Sequence, residues 1–231
     1  MKNVILKFSF VLIIAVSFSS CVSIDQQTKI NKDASGNISL HYWTATSNLS
    51  MGDELGGFSF EEAQVRKKFT SLNSDVTEVK IDNVESDSTS HVRVKITFKD
   101  FNKLNEAEGF SKTKTIWKKE KDKIIFNYTL IKDTVSSDKM ASDEYKLFYG
   151  FSFPDQVLTT NGNVEGNLVT WDKSLSDLNE DIVMSAEIND ETGVCGLFGI
   201  ELPFILLIGL SVFYRFRFFS DSLGYAVGDR V

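Results

Sequence analysis

Residues 91–99 read HVRVKITFK, and their alternation is the strongest constraint on what this chain can become. Val92, Val94, Ile96 and Phe98 fall on one side of an extended backbone, and Arg93, Lys95, Thr97 and Lys99 on the other, because side chains repeat every two residues along a strand. A strand of this kind buries one face and wets the other, so it needs partners. Residues 76–84 read as one, across the polar turn 85–90. A second hairpin is predicted over 113–131, with its turn in KKEKDK at 118–123 and Ile124, Phe126, Tyr128 and Leu130 on one face of the return strand. Residues 24–30 and 38–46 flank Asp33-Ala34-Ser35-Gly36, a favourable turn composition. Further on, Tyr145, Leu147, Tyr149, Phe151 and Phe153 alternate up to Pro154. Short strands follow at 157–160 and 168–171, separated by Asn161-Gly162, Val164 and Gly166-Asn167; Asn-Gly marks a tight turn because both residues tolerate positive φ. The last strand, 182–188, places Ile182, Met184, Ala186 and Ile188 on one face.

Helical signals are few. Ser59 and Glu62 are spaced as a capping box. The helix it would start runs to about Leu72, with Ala63, Val65, Phe69 and Leu72 on one side and Glu62 placed to pair with Arg66. A shorter helix is expected after Asp100, ending at Gly109. Residues 133–144 are polar and read as a loop. The expected class is α+β: a mainly antiparallel sheet with one or two helices packed on it, and a C-terminal transmembrane helix.

That last element follows from the apolar ends. Lys2 and Lys7 precede an eleven-residue apolar run, 8–18, too short for a membrane span of about 20 residues and suited to a signal peptide over 1–20. The run leads into Phe18-Ser19-Ser20-Cys21. A cysteine directly after small residues resembles a bacterial lipobox, in which the thiol of Cys21 would carry diacylglycerol and the new N-terminus an acyl chain. Each buried CH₂ contributes roughly 0.8 kcal/mol, so two or three chains hold a soluble domain at a membrane. At the other end, 194–214 is apolar for 21 residues apart from Glu201 and Pro203. Its thirteen Val, Leu, Ile and Phe residues favour insertion by roughly 4–8 kcal/mol, against about 2.5–3.5 kcal/mol opposing it for a central charge. Asp190 and Glu191 precede the run and Arg215 and Arg217 follow it, which puts the tail 215–231 in the cytoplasm. The expected organisation is a lipid-anchored, single-pass protein of the cell membrane, its main domain, 21–193, facing the periplasm or the cell exterior. With Cys21 acylated, Cys195 has no cysteine partner within the chain.

The chain carries 25 Lys+Arg against 32 Asp+Glu, a net charge of -7. An acidic chain is a poor nucleic-acid binder, so no nucleic-acid partner is expected. His41 and His91 are the only histidines, both placed on polar strand faces. No HExxH, GxSxG, Walker A or CxxC spacing occurs. The carboxylate pairs Asp53-Glu54, Glu61-Glu62, Asp143-Glu144 and Glu180-Asp181 are the remaining route to hydrolysis, and in so acidic a chain they read as solvated surface. No catalytic residue, metal or cofactor is expected; a hydrolase is the least favoured reading. Lys112, Lys114, Lys118, Lys119, Lys121 and Lys123 either touch lipid phosphates or keep a hairpin tip soluble.

Tyr42, Trp43, Trp117, Phe148, Tyr149, Phe151, Phe153 and Trp171 are the candidates to line an apolar cavity between helix and sheet; the alternative is a closed aromatic core. Phe151, Phe153, Pro154, Val157, Asn161-Gly162, Asn167 and Val169-Thr170-Trp171 resemble the closing part of the LppM-like family of bacterial envelope lipoproteins. There, an F-P…V…N-G…V-T-W hairpin follows a β-rich half. The resemblance covers most of 22–188 in layout and 151–171 in specific residues. It implies an α+β domain with an antiparallel sheet, a lipobox paired with a C-terminal span, and a role in binding envelope lipids or glycolipids. It carries over no catalytic residue. The expected function is therefore a non-catalytic binding module; the alternative is a scaffold contacting another envelope protein, whose identity the sequence does not give.

Overall fold

The computed structural model describes residues 22–49, 52–132 and 146–190. The signal peptide, Cys21, the loop 133–144, the span 194–214 and the tail 215–231 lie outside the described residues. Strands β1 (Ser23–Ile30) and β2 (Gly36–Ala45) form the expected hairpin. Asp33 Oδ1 closes its turn by accepting from the Ser35 backbone N–H at 3.0 Å and the Ser35 hydroxyl at 2.6 Å. Two-residue strands β3 (Glu54–Leu55) and β4 (Phe58–Ser59) make a small separate ribbon, and β5 (Ser74–Val84) pairs antiparallel with β6 (Thr89–Phe98) as the alternation requires. Strands β7 (Thr113–Glu120) and β8 (Lys123–Leu130) form the second predicted hairpin. The C-terminal part supplies β9 (Lys146–Ser152), β10 (Val157–Thr160), β11 (Asn163–Glu165), β12 (Leu168–Ser174) and β13 (Ile182–Asn189).

These strands assemble into two main sheets. The larger has the order β11-β12-β9-β1-β2-β6-β5, the smaller β10-β13-β8-β7. The pairing is antiparallel except between β1 and β9, which run parallel with Ile24 opposite Leu147. The inner faces meet through aromatic rings: Phe126 of β8 lies 4.8 Å from Phe151 of β9, and Tyr128 lies 5.7 Å from Tyr149. The expected α+β class with mainly antiparallel pairing holds; the strands form two packed sheets, one of them mixed, and helix is sparse.

Helix α1 (Glu62–Phe69) buries Val65 and Phe69 and carries the predicted Glu62–Arg66 pair at 2.8 Å. It stops three residues short of Leu72, which is 90% exposed, and Ala63 is exposed too. Polar side chains in the next turn explain the stop. The Ser74 hydroxyl donates to the Phe69 carbonyl at 2.9 Å, and Ser71 Oγ accepts from the Asn73 and Ser74 backbone N–H groups, offering the chain an alternative to another helical turn. No reciprocal capping box forms at the start: Ser59 Oγ accepts from the Glu61 N–H at 3.2 Å, and Glu61 is the N-cap.

The second expected helix consists of 3-10 turns, Phe101–Glu106 and Glu108–Phe110. Phe101, Leu104, Ala107 and Phe110 are all buried, and their spacing of three matches three residues per turn. The Asp100 side chain accepts from the Asn102 N–H at the start.

Candidate functional site

The region between the sheets is built by inward positions of β7, β8, β9 and β12. Phe126 sits at its centre, within 6.3 Å of Phe151, Phe153, Trp171 and Phe101. Trp117 stacks near-parallel to Phe153 with centroids 6.3 Å apart. Five of the eight candidate aromatics, Trp117, Tyr149, Phe151, Phe153 and Trp171, are brought together here and buried. Tyr42 is buried elsewhere, beside Phe58 and Phe60, with its hydroxyl donating to the Ser59 carbonyl. Trp43 and Phe148 alternate onto the outer face of the large sheet and are half-buried.

Polar groups are set into this aromatic region. Gln26 and Thr28 occupy inward positions of β1, and Gln26 Nε2 donates to Thr28 Oγ1 at 3.1 Å. Burial, reinforced by Tyr149 and opposed by the Gln26 and Thr113 side chains, pushes the Tyr128 hydroxyl well above the usual tyrosine range. Burial raises Tyr149 as well. The two tryptophans differ. Trp171 Nε1 donates to Asn161 Oδ1 at 2.9 Å. Trp117 Nε1 and Thr115 Oγ1, two residues apart on β7, are buried without a hydrogen-bond partner among the described residues. Buried donors are seldom left so, since an unmade hydrogen bond costs about 1–3 kcal/mol. Sequence reasoning missed Phe101, Thr115, Gln26 and Thr28 here. The signal available was that Gln26 and Thr28 continue the alternation begun by Ile24 and ended by Ile30.

A second grouping lies on the outer face of the large sheet. His41 Nε2 and His91 Nδ1 are 2.9 Å apart with ring centroids 5.2 Å apart and planes inclined by 23°, the geometry of two imidazoles joined edge to edge. Trp43 stacks on His41 at 4.7 Å. His91 Nε2 contacts Thr89 Oγ1 at 2.7 Å, and Thr89 is in turn bonded to Asp87.

The carboxylate pairs are dispersed. Glu54 pairs with Lys68, Glu62 with Arg66, and Asp181 accepts from the Lys132 N–H; Asp143 and Glu144 lie outside the described residues. Among the described residues no group of three or more His, Cys, Asp or Glu could hold a metal, and no helix is long and apolar enough to cross a membrane. In the lysine group, Lys118 pairs with Glu120, Lys119 with Asp190 and Lys123 with Glu187.

The family model for the LppM domain matches residues 25–189, most of the chain. The chain belongs to the LppM domain family. Among solved structures, it is similar to the folded domain of the Mycobacterium tuberculosis LppM protein, determined by NMR, at 17% identity with a TM-score of 0.42, covering 73% of this chain and 89% of that one. No curated protein matches the chain. The LppM match spans both sheets, from β1 to the end of β13. Within it, Asn161-Gly162 carries the chain from β10 in the small sheet to β11 in the large one. Asn161 holds that crossing. Its Oδ1 accepts from Trp171 Nε1 and from the Ser185 N–H at 3.0 Å, and its Nδ2 donates to the Val183 carbonyl at 2.8 Å. The expected tight hairpin turn is therefore a bridge between sheets, and the hairpin turn proper is at Gly166, φ 62°.

Proposed function

We propose that this LppM domain is the extracytoplasmic, non-catalytic binding module of a lipoprotein anchored through Cys21 and a span at 194–214, and that its ligand is an envelope lipid or glycolipid. The observation that carries the ligand class is the unpartnered pair Trp117 Nε1 and Thr115 Oγ1 among buried aromatic rings. An amphiphile answers both features once the closed cluster parts to admit it: its hydrocarbon packs on Phe153 and Phe126, and one of its oxygens accepts from the indole N–H. Lipid extraction and mass spectrometry of the purified protein test this. Stoichiometric lipid in the wild type, with loss in Trp117→Phe, is the expected result; a lipid-free wild type ends it. The anchor is tested separately by fatty-acid labelling, which Cys21→Ala abolishes if the thiol carries the lipid. A reporter fused after Val231 should be active only on the cytoplasmic side.

The scaffold reading has its own observation. The aromatic cluster is closed, with Phe126, Phe151 and Tyr128 essentially inaccessible, whereas Leu158, Val164 and Val183 are exposed. A lipid-free domain that captures an envelope protein through those residues favours it.

A further inference from the structure

The two ends of the domain lie at opposite ends of its strands. Val22 precedes β1. Asp190 follows β13 and sits at the β7–β8 hairpin tip, where its N–H donates to the Asp122 carbonyl at 2.9 Å and its carboxylate pairs with Lys119 at 3.2 Å. That tip adjoins the β1–β2 turn: the Asn189 N–H donates to the Gln156 carbonyl at 2.8 Å, and neighbouring Asp155 pairs with Lys32 of the turn at 2.8 Å. Phe153, just past the far end of β9, meets Trp117 and Phe126 at the same level. The eight residues of β1 separate the two ends by about 26 Å at roughly 3.3 Å per residue.

Only residues 191–193 lie between Asp190 and the apolar run, a reach of at most about 14 Å at 3.6 Å per residue. Cys21 is a single residue from Val22. With both anchors in one bilayer, the strands cannot stand along the membrane normal. We propose that the domain lies along the bilayer and rests on it through the outer face of the small sheet; this rests on the doubly anchored reading above. Trp117, Phe126 and Ala186 point inward in register, so their strand neighbours point out. Ile116 and Val183 are 45% and 46% exposed there, with Ile125 half-buried between Lys118 and Glu187. Lys114 stands in register with Thr129 and Val183. Branched aliphatic side chains beside Lys114, with Lys118 and Lys123 paired to Glu120 and Glu187, suit the interface of a bilayer. The outer face of the large sheet pairs its charges likewise, through Arg93–Asp82, Lys95–Glu78 and Lys80–Glu78, but around exposed polar positions such as Asn37 and Ser39.

The test uses the full chain in liposomes of phosphatidylglycerol and phosphatidylcholine, in a Cys195→Ser background. An environment-sensitive fluorophore is placed at Ile116→Cys or Val183→Cys, or on the large sheet at Asn37→Cys or Ser39→Cys; all four sites are exposed. Blue-shifted emission, quenched by spin-labelled lipid, is expected at 116 and 183 and not at 37 and 39. Quenching at 37 and 39 instead, or at none of the four in protein that floats with the vesicles, overturns the docking face. Protein that does not float at all overturns the anchored reading itself, and so is told apart.

Discussion

Gly162 shows how closely single residues are constrained here. A Cβ at this position would stand 2.6 Å from Trp171 Cε2 and 2.7 Å from Val169 Cγ1, although the backbone itself requires no positive φ there. Gly162→Ala is therefore expected to destabilise by about 1–3 kcal/mol through overpacking, and Asn161→Ala by a similar amount through the orphaned indole N–H of Trp171; urea unfolding measures both. The Asn-Gly pair is plain in the sequence but its role is not, because a bridge between sheets and a hairpin turn share the same two letters. The histidines carry a pH dependence. Burial, then Arg93 and His91, hold His41 below its ordinary value of 6.5, with Asp25 opposing. The unfolded chain thus takes up a proton that the native state resists, and stability falls as pH drops through that range. His41→Gln should flatten the stability profile between about pH 7 and 5, measured by denaturant midpoints.

At the scale of elements, the alternating strands are legible in the sequence, and of the helices only the place of α1 and its Glu62–Arg66 pair. Strands 91–99 and 124–131 stand out because their alternate positions are apolar. The sequence pattern overextends helix α1 because Leu72 fits a helical stripe, whereas Ser71, Asn73 and Ser74 compete for the backbone. The 3-10 turns read as α-helix because a spacing of three also belongs to a 3.6 pattern. Their purpose is visible in Asn102, which covers the outer edge of β7: Nδ2 donates to the Trp117 carbonyl at 3.1 Å and Oδ1 accepts its N–H at 2.7 Å. Asn102→Ala should leave the Trp117 amide exposed to solvent exchange, with protection lost by hydrogen–deuterium exchange there before the β8 amides are affected. On β5, hydrogen bonds from Lys95 and then Lys80 push Glu78 down to about 2. Its contribution is present above the usual carboxylate range near 4.5 and lost as pH falls toward 2. Glu78→Gln should therefore remove part of the acid limb of unfolding, read from denaturant midpoints between those two values.

For the whole molecule, the aromatic centre sets stability. Phe126→Ala removes the ring shared by both sheets and is expected to cost about 3–5 kcal/mol, a large share of the roughly 5–15 kcal/mol typical of a domain; a calorimetric transition would fall steeply or vanish. Which strands neighbour one another across long distances is not written in the alternation, which fixes faces and not partners. Hence five candidate aromatics converge, while Tyr42 goes to another part of the core and Trp43 and Phe148 to the outside. The most distant pairing joins β1 to β9, more than a hundred residues apart. A polypeptide emerges from the ribosome N-terminus first, so its central strand waits with one flank bare until β9 arrives. Such late closure is slow by nature, and until then the nascent segment depends on whatever shields it.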